Sequence, residues 1–208
     1  MDHQIPLFPL KLVAFPGEQL NLHIFEPRYK QLIGDILSTK GTFGIAVYLD
    51  KLMPFGTEVE LEEVSKVYED GRMDIKTRGK RTFEILSFEN PMKDKLYAGG
   101  NVVFFDNDPR VGENQYAEFI FYLKELFRLM EYQTEIVPLR LNSFTYVHKL
   151  GLKLAEEYEL LLMTKESDRI RFLTTHMMKV IPIMRDIEVA KKKIQMNGHF
   201  KNLEPLDF

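Results

Sequence analysis

Ile5-Pro6-Leu7-Phe8-Pro9-Leu10, then Phe15-Pro16-Gly17-Glu18, then Leu22-His23-Ile24-Phe25-Glu26-Pro27-Arg28-Tyr29 carry most of the fold information in this chain. Prolines 6, 9 and 16 each fix φ and lack an N–H for a ladder, so residues 5–16 are expected to be extended and unable to pair fully in a sheet. Leu20, Leu22 and Ile24 alternate with Asn21, His23 and Phe25, the period of a half-buried strand. Glu26-Pro27 then opens a helix, with proline where a helix tolerates it best. Tyr29, Leu32, Ile33, Ile36 and Leu37 give that helix one apolar stripe.

Working outward, residues 1–110 read mostly as strands. Phe43–Leu49 is an apolar run between Gly41 and Asp50. Thr57–Tyr68 alternates at first, then slips phase at Val64, which predicts a bulge. Glu69-Asp70-Gly71 supplies a hairpin turn, and Arg72–Thr77 returns from it. Arg81–Phe88 and Leu96–Phe105 give two further strands. Short strands with one early helix predict a small mixed barrel, in an α+β fold.

Residues 106–112, Asp-Asn-Asp-Pro-Arg-Val-Gly, mark the expected boundary between a β domain, 1–110, and a helical domain, 111–208. Beyond it the period is helical. Glu113–Tyr132 carries the stripe Tyr116, Phe119, Ile120, Leu123, Leu126, Phe127 and Met130. Shorter helices are expected near 143–151 and 153–163. The last helix, about Ser167 to Met196, has Ile170, Leu173, Met177, Val180, Met184 and Ile187 in steps of three and four. A bundle seam is the expected use of that stripe, ahead of an intermolecular coiled coil. Pro182 should kink this helix, Asn197-Gly198 should end it, and the tail 199–208 has enough apolar residues to dock.

Composition narrows the function. The chain has 208 residues and a net charge of -3, with no charge excess to draw nucleic acid or an anionic membrane. It has no cysteine, which removes disulfides, thiol chemistry and sulfur-ligated zinc. No apolar run is long enough to span a bilayer, and MDHQIPLF lacks the pattern of a secretory signal, so a cytoplasmic location is expected.

Catalytic patterns are missing. There is no Gly-x-x-x-x-Gly-Lys-Ser/Thr loop and no Gly-x-Ser-x-Gly elbow. Ser38 and Ser65 have nearby lysines in sequence, which does not make a dyad. The five histidines are dispersed, and none has a partner at metal-ligand spacing. Glu58, Glu60, Glu62 and Glu63 read as a solvated face, since a flat strand does not converge oxygens on calcium. No catalytic residue, cofactor or metal is expected. Lys76, Arg78, Lys80 and Arg81 form the one basic strip. RNA phosphates or an acidic peptide would suit it, but cross-strand pairing with the glutamates is the favoured reading, and no aromatic residues interleave for base stacking.

The opening motifs, with Phe43-Gly44, Gly56-Thr57, Asp70-Gly71-Arg72 and Arg78-Gly79-Lys80-Arg81-Thr82-Phe83, resemble the N-terminal, substrate-binding domain of Lon protease. The resemblance implies a PUA-like β pseudo-barrel followed by a C-terminal α-helical bundle. It also implies binding of exposed apolar segments of unfolded or tagged polypeptides, as an adaptor or regulator of proteolysis that works with a protease or chaperone. The ATPase and Ser-Lys peptidase of the full protease have no counterpart motifs, so a stand-alone, non-enzymatic member is expected. Cereblon carries a similar domain, but the zinc-bound module beside it needs cysteines. The alternative function is RNA binding through the barrel and the strip 76–81.

Phe8, Leu10, Phe25, Tyr29 and Phe43 are the expected lining of a peptide groove between barrel and bundle, where a peptide adds as a strand to an open edge. The competing reading is that Phe8, Leu10 and Phe25 plug the barrel. Glu26 and Arg28 are read as bracing the helix start, and with Lys76, Arg78 and Lys80 they are the candidate polar contacts. Sixteen Phe and ten Met suit adaptable apolar recognition, although most fall on core stripes.

Overall fold

The computed structural model describes residues 3–137 and 141–199, with the side chains of 196–199 excepted. The expected docking tail, 199–208, lies outside the described side chains. Two compact units divide the chain. The first combines residues 1–110 with 142–166, and the second combines 111–141 with 167–208. The segment 142–166, read from sequence as part of the helical half, thus clusters with the strands.

The first unit holds a mixed six-stranded sheet: β1 His3–Leu10, β2 Gln19–Ile24, β3 Thr42–Tyr48, β4 Leu52–Val67, β5 Met73–Ile85 and β6 Ala98–Phe105. The spatial order is β2-β5-β4-β3-β1-β6, and β5 also pairs with β6. Five strands therefore form a closed ring of ladders, with β2 attached outside it. Helix α1, Pro27–Thr39, turns Tyr29, Leu32, Ile33 and Ile36 into the core, while Leu37 stays exposed. Each such side chain contributes about 1.5–3 kcal/mol relative to exposure. They pack in one cluster with Phe8, Ile24, Phe43, Ile45, Val59, Ile75 and Tyr97.

One expectation about strands holds and another is corrected. Residues 5–10 form a strand despite Pro6 and Pro9, but away from Leu7 it is laddered on one side at a time, and 11–16 lie outside the strands. β1 pairs antiparallel with β6 through Leu7, and parallel with β3 from Leu7 onward. Each half therefore has a neighbour on one side only, which is where a strand tolerates proline. Arg72–Thr77 and Arg81–Phe88 are not two strands but one, β5, running through Gly79. A Cβ at Gly79 would lie 2.1 Å from the carbonyl oxygen of Phe15. Glycine at this position lets the Phe15–Glu18 turn sit directly on the strand: Gly17 N–H donates to Gly79 O at 2.9 Å, and Gly79 N–H donates to Glu18 O at 2.8 Å. The phase slip in β4 is a real irregularity, with register shifts between Glu58 and Val59, Leu61 and Glu63, and Val64 and Lys66. The hairpin turn uses Gly71 at φ 75°.

Residues 143–151 do not form the expected helix. They make turns and one 3-10 turn, Val147–Lys149, before a nine-residue helix of the first unit at Leu154–Leu162. The Tyr158 hydroxyl of that helix accepts the Phe55 N–H of β4 at 3.2 Å.

In the second unit, α2 spans Glu113–Leu129 and buries Phe119, Ile120, Leu123, Leu126 and Phe127. With the Leu154–Leu162 helix as α3, α4 is the 34-residue helix Glu166–His199, which contains Pro182 and continues past Asn197-Gly198. The described residues of this unit supply two helices rather than a bundle. Gln115 Nε2 donates to Ser167 O at 2.5 Å, and Arg185 donates to Glu125 at 2.9 Å, so α2 and α4 run in the same sense. Ile170, Leu173 and Met177 of the α4 seam are buried, whereas Ile187 is exposed. At a rise of ~1.5 Å per residue, α4 far outruns α2.

Candidate functional site

Two of the opening motifs meet at one pocket. The end of β1 supplies Pro9, with Lys11 just after it. The first turn of α1 supplies Arg28 and Tyr29. Tyr48 and Leu52 come from the end of β3 and the start of β4, and Phe88 and Asn90 from the segment after β5. The cavity is about 310 Å³ and lies wholly within the first unit. Tyr48 and Phe88 are exposed at its rim. Tyr29 is buried and stacks on Phe8 with ring centroids 3.7 Å apart. The Tyr29 hydroxyl has its pKa raised, first by burial.

Arg28 lies over the Tyr29 ring at 4.5 Å and donates from Nε to Glu26 Oε2 at 2.9 Å. Its Nη2 reaches the same oxygen at 2.8 Å. Glu26 stands at the N-cap of α1 without a side-chain capping bond. The two side chains are therefore bonded to each other at the helix entry, and Glu26 makes no cap.

The expected groove residues fall in different places. Phe8 and Phe43 are buried, 6.5 Å apart between ring centroids, and belong to the core. Leu10 packs partly buried against the same cluster. Phe25 is 59% exposed and stacks near His23, so it plugs nothing. Tyr29 and Arg28 are the two expected residues that line the pocket. Lys11, Tyr48, Leu52, Phe88 and Asn90 were missed. Their only sequence signal was apolar residues beside turn formers, as in Tyr48-Leu49-Asp50 and Phe88-Glu89-Asn90-Pro91.

The basic strip is satisfied internally. Lys76 pairs with Glu63 at 2.9 Å, Lys80 with Glu60 at 2.7 Å, Arg81 with Glu58 at 2.7 Å, and Arg78 with Glu62. Hydrogen bonds donated to Glu63 and Glu60 are the chief cause of the raised pKa values of Lys76 and Lys80. Antiparallel β4 and β5 bring the two strips into register, and the bulges keep them matched.

A second pocket, about 510 Å³, lies beside α1 and includes Asp35, Lys95 and Tyr97. Those three polar groups are spent on each other. Asp35 accepts from Lys95 at 2.7 Å and from Tyr97 at 2.6 Å. The Lys95 bond is the chief cause that lowers the Asp35 pKa, while burial, then Asp35, pushes the Tyr97 hydroxyl up.

His148 has a built environment that sequence spacing did not reveal. Its Nε2 lies 3.0 Å from Glu18 and its Nδ1 2.7 Å from Glu157. Those bonds, Glu157 first, raise its pKa to about 10. Glu18 also accepts the Phe15 N–H at 2.9 Å. This is a structural clamp on the Phe15–Glu18 turn. Among the described residues, no three His, Cys, Asp or Glu side chains converge as a metal site.

Comparison with known proteins agrees with this architecture. A crystal structure of a Lon N-terminal domain protein from Xanthomonas campestris superposes with a TM-score of 0.66 at 26% identity, covering 83% of this chain and 98% of that one. The N-terminal domain of a Mycobacterium avium complex Lon protease superposes with a TM-score of 0.62 at 17% identity, over 84% of this chain and 98% of that one. Cereblon of Xenopus tropicalis is 28% identical over 89 residues, which span 40% of this chain and 20% of cereblon. The family described as ATP-dependent protease La (LON) substrate-binding domain matches residues 4–183. This chain therefore belongs to the Lon substrate-binding domain family.

Proposed function

We propose that this chain is a non-catalytic module that binds exposed apolar segments of unfolded or tagged polypeptides and acts as an adaptor or regulator of proteolysis. The observation that carries the reading is the pocket at Pro9, Arg28, Tyr29, Leu52 and Phe88, where two family motifs meet around an apolar cavity open to solvent. Exposed aromatic residues at its rim favour side-chain recognition. The closed ring of ladders supports a PUA-like reading of the barrel. A cytoplasmic setting, with a protease or chaperone as working partner, belongs to the same proposal. RNA binding through 76–81 draws no support, because each cation there holds a glutamate.

Hydrogen exchange with and without a permanently unfolded polypeptide, such as reduced and carboxymethylated lactalbumin, tests the reading. Protection at 9–11, 28–29, 48–52 and 86–90 supports it. Protection confined to 72–83 favours the basic strip instead. The purified chain should neither hydrolyse ATP nor cleave casein, and turnover that follows the protein peak through repurification would overturn the non-catalytic assignment.

A further inference from the structure

The pocket carries a charge signature that general apolar binding does not require. Two of its lining residues, Lys11 and Arg28, are cations, and none is a carboxylate. Yet the chain has 31 acidic residues against 28 basic ones. Several other cations of this unit, Lys76, Arg78, Lys80, Arg81 and Lys95 among them, each hold a carboxylate. Lys11 has no hydrogen bond or ion pair among the described residues. Arg28 spends Nε and Nη2 on a single oxygen of Glu26, and a guanidinium has further donors on its fork. An apolar cavity with a spare ammonium and a part-used guanidinium complements a ligand that is apolar and anionic at once.

We propose that this pocket takes the C-terminal residue of a polypeptide, its apolar side chain against Tyr29, Leu52 and Phe88, and its terminal carboxylate with Lys11 and Arg28. The proposal rests on the polypeptide-binding reading and specifies which part of the polypeptide is held. The volume supports a chain end over a chain middle. At about 310 Å³ the cavity is near the lower limit of ligand pockets, ~300–1,000 Å³. A terminal residue needs one way out, whereas an internal segment must both enter and leave. Asn90 at the wall supplies an amide for the last peptide group.

Fluorescence anisotropy with three labelled apolar octapeptides tests this. One ends in leucine with a free carboxylate, the second is its C-terminal amide, and the third is that amide with a glutamate at the penultimate position. The free acid should bind the full chain at least about tenfold more tightly than the amide, as a charge-assisted bond in a partly desolvated site implies. In Lys11→Met, whose position is exposed and outside the core, that ratio should fall below about threefold. Lys11→Gln gives a second reading at the same position. Equal binding of acid and amide overturns the inference and leaves polypeptide binding standing. A glutamate-bearing amide that matches the free acid overturns the preference for a chain end. Binding of none of the three overturns both readings.

Discussion

His148 bridges Glu18 and Glu157, with Nε2 3.0 Å from one carboxylate and Nδ1 2.7 Å from the other. Glu18 closes the Phe15-Pro16-Gly17-Glu18 turn by accepting the Phe15 N–H, and Glu157 lies on α3. The imidazolium thus ties the turn on β5 to the segment 142–166. Phe15 continues the contact, with its ring 5.1 Å from Phe144 and 5.3 Å from His148.

This clamp predicts a pH dependence. The folded-state pKa of His148 is raised to about 10, above its ordinary value of 6.5. A raised value means the stabilisation is fully present below pH 6.5 and is lost as pH climbs through 10. His148→Gln should therefore lower Tm most at pH 6, by roughly 2–4 °C given the partial solvent screening, and hardly at all at pH 10. Thermal melts of both proteins across that range check it. A constant difference would mean that His148 contributes packing rather than charge.

The glycines give a matched pair of outcomes. Gly79→Ala places a Cβ 2.1 Å from Phe15 O, which is backbone and cannot swing aside. It should cost about 1–3 kcal/mol or more in urea unfolding, since the turn must lift from the strand. Gly34 lies inside α1 with nothing within 4 Å of an added Cβ. Gly34→Ala should stabilise by roughly 0.5–1 kcal/mol.

Much of this was legible in the sequence, and the exceptions have physical causes. The α1 stripe, the Gly71 turn and the β4 bulge follow from local periodicity and turn chemistry. The pairing of glutamates with the basic strip followed once the hairpin was read. What local rules missed depends on distant partners. Pro6 and Pro9 sit inside a strand because β1 changes neighbours at Leu7, so each is laddered on one side only. Gly79 continues a strand because Phe15, far away in sequence, fills the space its Cβ would take. Residues 143–151 stay irregular and are fixed by Phe15, Glu18 and Glu166: Ser143 N–H and Oγ both donate to the buried Glu166. The pocket joins four separate segments, and only Pro9, Arg28 and Tyr29 lay in motifs that stood out in advance.

Along the β4–β5 charge ladder the pairs should differ in worth. Lys76–Glu63 and Lys80–Glu60 are solvent-exposed, so Lys76→Ala and Lys80→Ala should each leave stability nearly unchanged. Glu58 is buried, 7% exposed at its side chain, and accepts from Thr42 at 2.6 Å as well as from Arg81. Arg81→Ala leaves that carboxylate with less compensation and removes a cation 3.7 Å from the Phe104 ring centroid. Its cost should exceed that of either lysine, at about 1–3 kcal/mol. Urea melts of the three variants rank them, and equal costs would show that burial of Glu58 does not matter.

Phe8 and Phe88 separate core from site. Phe8 is buried and stacked on Tyr29, so Phe8→Ala should cost about 3–5 kcal/mol by opening a cavity in the main cluster. Phe88 is exposed at the pocket rim, so Phe88→Ala should leave stability within about 1 kcal/mol. It should nevertheless weaken binding of an unfolded polypeptide severalfold, because a rim aromatic supplies contact area at low entropic cost. Anisotropy and urea melts on the same two proteins decide the matter. If Phe88→Ala binds as the parent does, while Phe25→Ala, changed at a position that is 59% exposed and outside this pocket, binds less well, recognition lies beside Phe25 and the pocket assignment fails.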